Sequence, residues 1–143
     1  MFNPSRDQVR SFFIEAWRKH RAHEVLTPLE AIAADIIGLH PEYHAVVEDP
    51  DAIDRDFSPD DGQLNPFLHL SLHLAIEEQL SIDQPPGIRA AFNSACEKRG
   101  SRHDAMHDTL ECLGETLFDA QRKGGQPDGA AYVSCVLRRA ERH

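Results

Sequence analysis

No run of this sequence approaches the roughly 20 consecutive apolar residues that cross a bilayer, and no membrane span is expected. Positive charge is also in short supply. Twenty-four acidic residues outnumber 15 basic ones, for a formal charge of −9. Nucleic acids and anionic membrane surfaces are held by basic faces, so neither is expected as a partner. The opening "MFNPSRDQVRSFF" lacks the basic-then-apolar order of a secretion signal. Cysteine is scarce: Cys96, Cys112 and Cys135 are odd in number and form no CxxC pair. They are read as reduced, buried thiols of a cytoplasmic protein. There is no GxSxG elbow, no phosphate-cradling glycine loop and no cysteine with a local nucleophile signature. No nucleophilic constellation stands out.

What the chain has in excess is histidine, nine in 143 residues. A chain of this length suits one domain and buries about two thirds of its unfolded surface. The expectation is a single all-α domain over 1–143, a bundle of about five to seven helices. Ser5 with Gln8 forms a capping box, and Val9, Phe12, Phe13, Ala16 and Trp17 follow at helical spacing to about His20. "TPLE" starts a second helix, with Thr27 as N-cap, Pro28 in the first turn and Glu30 closing the box. Its stripe is Leu29, Ile32, Ala33, Ile36 and Ile37. Pro41 breaks the chain after His40, and a short helix over "PEYHAVVED" follows. "DPDAIDRDFSPDDG", Asp49 to Gly62, reads as an acidic, solvated loop.

Asn65 and Pro66 open a helix over "NPFLHLSLHLAIEEQ". The alternation of "FLHLSLHL" competes for a strand, but the Asn-Pro start and the helix-forming "AIEEQL" decide against it. "IDQPPG" ends that helix as a rigid loop, and "DQPPGIR" is read as a helix–helix connector. A shorter helix spans about Ile88 to Lys98, stopped by Gly100. Ser101 with Asp104 caps the next, which runs to about Arg122. Its apolar stripe is expected to be Met106, Leu110, Leu113 and Leu117. "AAYVSCVLRRAER" is the last helix, with Arg138, Arg139 and Arg142 at its negative end.

The histidines are patterned. "HLSLHLAIE" sets His69, His73 and Glu77 four residues apart, and "HDAMHDTLE" repeats the spacing with His103, His107 and Glu111. From the chain's own composition one HxxxHxxxE match is expected by chance about 0.04 times, a count of pattern matches rather than an impression. Residues four apart share a helix face with Cβ atoms about 5–6 Å apart, so two imidazoles so spaced can chelate one cation, as in HExxH helices. On the wheel His69 and His73 fall beside Ile76 and Leu80, opposite Ser71 and Glu78. His40 lies four residues past Ile36 and extends its helix's apolar stripe inward. The expected metal set is His69, His73, Glu77, His103, His107 and Glu111, with His40 added. Glu111, on the polar edge, is its weakest member. Mixed nitrogen and oxygen ligands suit iron or zinc, with manganese next and copper less favoured. Glutamates would bridge two metals about 3.5–4 Å apart in a dinuclear version. An enzyme built on such a centre would be hydrolytic or oxidative. The rival reading is a non-enzymatic helical interaction protein whose histidines form a buried hydrogen-bond network. Buried imidazoles without partners cost about 1–3 kcal/mol each, so inward-facing histidines need one of these accounts, and an exposed interaction face is the third alternative. His20, His23 and His143 sit in charged or terminal positions and are left out, and His44 in "HPEYH" stays open.

At "HPEYH", "NPFLHLSLHLAIEEQ", "DQPPGIR", "HDTLECLGE" and the opening "MFNPSRDQVRSFFIEAWRKH" the chain resembles a bacterial family catalogued only as domain of unknown function eighteen-forty-one. That resemblance implies a small bacterial protein and no particular activity. More locally, HxxxH and HxxxE on helices are similar to ligand patterns of hemerythrin-like di-iron bundles. Hemerythrin's helix order and ligand spacings are not reproduced, so oxygen carriage is not implied.

Overall fold

Local capping decides where the helices begin. In the computed structural model, which describes residues 5–55, 57 and 65–142, Ser5 and Gln8 close a reciprocal capping box on α1, Arg6–Arg21. Thr27 and Glu30 do the same for α2, Pro28–Gly38. After Pro41 the chain tightens into a 3-10 turn, Pro41–Tyr43, before α3, His44–Val47. A second 3-10 turn spans Pro50–Asp54. Helix α4, Pro66–Ile82, opens as its Asn-Pro start implies: the Asn65 side chain accepts from the backbone N–H groups of Phe67 and Leu68. The helices α5, Ile88–Arg99, and α6, Arg102–Lys123, are separated by Gly100, whose φ of 70° is a left-handed conformation that glycine adopts at little cost. Asp128 caps α7, Gly129–Glu141. Among the described residues there are seven α-helices and no strand, so the all-α expectation holds, including at Phe67 to Leu74.

The chain forms two compact units that divide at Leu74 and Ala75, inside α4. In the first, α1 packs on α2. Phe13, Ala16, Trp17, Ile36, Ile37, Val47 and Leu70 make its core. Arg10 is buried in this unit, 3% exposed. Its Nη1 donates to the carbonyls of Ala52, Ile53 and Arg55 at 3.0, 3.0 and 2.7 Å. The guanidinium lies 5.4 Å from the Phe57 ring centroid and 5.1 Å from that of Phe67. The segment read as a solvated acidic loop therefore has a packed beginning, with Ala52 wholly buried. A buried cation needs acceptors, and these carbonyls supply them. Positions 56 and 58–62 of that loop, like His143, lie outside the described residues.

In the second unit α5, α6 and α7 pack on one another. "DQPPGIR" acts as a connector. Arg89 donates from Nε to the Leu80 carbonyl and from Nη2 to that of Ser81, closing the end of α4, and its backbone N–H reaches Asp83. The buried stripe of α6 is Ala105, Met106, Thr109, Cys112 and Leu113, while Leu117 is 41% exposed. The expected stripe is thus rotated toward small residues. Size-weighted pattern reading favours Leu110 and Leu117. Thr109 tolerates burial because its hydroxyl donates to the Ala105 carbonyl at 2.8 Å.

The cysteine reading is corrected. Cys112 and Cys135 form a disulfide that joins α6 to α7, and Cys96 alone is free. An odd count with no CxxC spacing says nothing about two cysteines 23 residues apart that packing brings together. With this bridge the cysteines no longer support a cytoplasmic location.

Candidate metal centre

His40 follows the last residues of α2, where backbone carbonyls have no helical partner. Its Nδ1 lies 2.8 Å from the Ile36 carbonyl. A carbonyl only accepts, so Nδ1 carries a proton, and in the neutral tautomer this leaves Nε2 as the lone pair. His44, left open above, does likewise at the next carbonyl: its Nε2 donates to the Ile37 carbonyl at 3.0 Å, and its ring packs on Trp17 with centroids 4.6 Å apart. His44 is thereby a capping residue. His20 stacks on the same indole.

His40 Nε2 points at α4. His69 Nε2 lies 3.3 Å from it, and His73 Nε2 lies 3.1 Å from His69 Nε2. The helical i, i+4 spacing supplies the second distance, and packing within the first unit supplies the first. His40 and His73 are 2% and 3% exposed, with His69 half-buried between them. One ring nitrogen from each of these three lies within 4.8 Å of the others'. Tyr43 flanks the group. Its ring stacks on His40 with centroids 5.6 Å apart and planes 10° apart, and meets His69 edge-on at 5.5 Å. Burial pushes its phenol above the usual range, so it stays protonated at neutral pH.

This geometry can be compared with two accounts. Two imidazole nitrogens about 2.05 Å from one ion stand about 3.3 Å apart at a tetrahedral angle and about 2.9 Å apart at a right angle. The observed 3.1 and 3.3 Å fall in that interval. In a purely hydrogen-bonded network His69 Nε2 holds either one hydrogen or one lone pair. With all three rings neutral, a lone pair there faces the lone pair of His40, and a hydrogen there is shared between His40 and His73. A cation accepts all three lone pairs.

The remaining expected ligands lie in the second unit. His103 and His107 are half-buried on α6, with ring centroids 4.3 Å apart and planes at 78°. The Glu77 carboxylate accepts from Arg102 at 3.0 and 3.2 Å. Glu111 is exposed and pairs with Arg139, which also holds Glu115 at 2.7 Å. Sequence reading missed Tyr43. Its one signal was its position three residues after His40 in "HPEYH".

The model of a family described as a domain of unknown function, DUF1841, matches residues 5–138. No curated protein and no solved structure gives a match.

Proposed function

The chain belongs to the DUF1841 family, and we propose that it is a transition-metal-binding helical protein whose centre is built on His40, His69 and His73. The observation that carries this reading is the pair of Nε2–Nε2 contacts, 3.3 Å from His40 to His69 and 3.1 Å from His69 to His73, each suited to neighbouring ligands of one ion. An imidazole-rich set favours borderline first-row metals, and zinc or iron are the proposed occupants. The Ile36 carbonyl supports the reading, because a hydrogen bond to the far ring nitrogen orients a ligand and raises its basicity.

His103, His107, Glu77 and Glu111 stay in the proposal on their sequence spacing. Such a metal would supply Lewis-acid or redox chemistry, and a small-molecule substrate is proposed as the partner of that chemistry. The test is metal analysis of protein purified without a histidine tag, with the His103→Ala/His107→Ala pair run in parallel. Near-stoichiometric zinc or iron supports the reading, and loss in the double variant adds those residues to the ligand set. Protein that stays empty after incubation with either metal would instead be the interaction protein with a hydrogen-bonded histidine core.

A further inference from the structure

"HPEYH" is more than a helix break. Pro41 occupies the first position of a 3-10 turn, where its fixed φ suits the turn and its missing N–H costs nothing. Tyr43 N–H donates back to the His40 carbonyl at 2.9 Å. That short turn carries the Tyr43 ring back over His40, nearly parallel to its imidazole, with 10° between planes. The same ring meets His69 edge-on. One aromatic side chain therefore touches two of the three converging imidazoles.

We propose that Tyr43 is a positioning residue for His40, an inference that rests on reading His40, His69 and His73 as metal ligands. Two restraints then fix the His40 ring. The Ile36 carbonyl sets its tautomer and its rotation about one end. The Tyr43 face sets its plane, and with it the direction of the Nε2 lone pair. His40 needs both, because it comes from a non-helical position, with φ −127° and ψ 71°, while His69 and His73 are held by a continuous helix. The hydroxyl has no part in this. The ring face does the positioning, so phenylalanine should substitute for tyrosine.

The experiment is a Co2+ titration of chelator-stripped, untagged protein, followed by the visible absorption of the bound ion. Wild type, Tyr43→Phe and the exposed neighbour variant Glu42→Ala should bind alike. Tyr43→Ala should bind about tenfold more weakly, the scale of losing an outer-shell support, and its absorption band should shift as the His40 bond reorients. Tyr43→Leu keeps the apolar volume without the flat ring, and should show the same loss if the alanine variant fails to fold. A wild-type affinity and spectrum in the folded Ala and Leu variants overturns the proposal. So does Tyr43→Phe behaving like alanine, which would assign the effect to the hydroxyl. Folded wild type that binds no Co2+ removes the metal reading itself. Binding by wild type but not by His73→Ala keeps that reading, and the Tyr43 variants then decide this inference alone.

Discussion

His73 is the most telling single residue. It is nearly fully buried, sits between Leu72 and Leu74, and its Nε2 lies 3.1 Å from another imidazole. If that contact is a shared cation, the ion binds only the folded chain and stabilises it by mass action. Free metal at 100 times its Kd adds about 2.7 kcal/mol. Chelation should lower the wild-type melting temperature, His73→Ala should lose most of that shift, and exposed His23→Ala should keep it, as paired thermal melts with and without chelator would show. Glu30 offers a pH test at the same scale. The Thr27 backbone N–H, then the Lys19 ammonium at 3.0 Å, hold its carboxyl below the usual carboxylate range. A folded pKa below the unfolded value of about 4.3 stabilises the fold above that value. The contribution is lost as pH falls through the folded value. Glu30→Gln should therefore melt below wild type at pH 7, and the gap should narrow progressively in melts taken below the unfolded value of about 4.3.

At the scale of elements, the run from α3 to the second 3-10 turn gives the core of the first unit two small buried side chains, Val47 and Ala52. Arg10 ties it to α1 through three carbonyls and lies against Phe57 and Phe67. Arg10→Met keeps much of the apolar stem and removes the donors. Leaving buried carbonyls without their charged partner should cost about 2–4 kcal/mol. Urea denaturation of the variant, read by its midpoint, checks this. Limited proteolysis should place the first new cleavages at 50–55, because the segment loses its anchor before the helices do.

For the whole molecule, no helix among the described residues is long and apolar enough to cross a membrane. The disulfide has the larger stability consequence. Cys112 and Cys135 enclose a separation of 23 residues, and closing such a loop removes unfolded-state entropy worth about 3 kcal/mol. Reduction should lower the melting temperature, and Cys112→Ala/Cys135→Ala should reproduce that loss without reductant. Thiol titration of the unfolded, unreduced protein should find Cys96 alone. Three reactive thiols in protein kept from reductants would show that the bridge does not form.

The amino-acid sequence by itself determined the helices and most of their ends. Ser5 with Gln8, Thr27 with Glu30, Asn65 with Phe67 and Gly100 each act within a few residues, so their signals are complete in a short window. It also determined the His69–His73 pair, since four residues make one helical turn. Tertiary structure decided what those pairs meet. His40 stands 29 residues before His69, and no local spacing announces that its Nε2 will arrive within 3.3 Å. The same holds for Arg10 and the carbonyls more than forty residues later, and for Cys112 with Cys135. Capping and helical periodicity are short-range and written in adjacent residues. The company a buried polar group keeps depends on how distant segments fill a common volume, and that is set only when the chain closes its loops and packs.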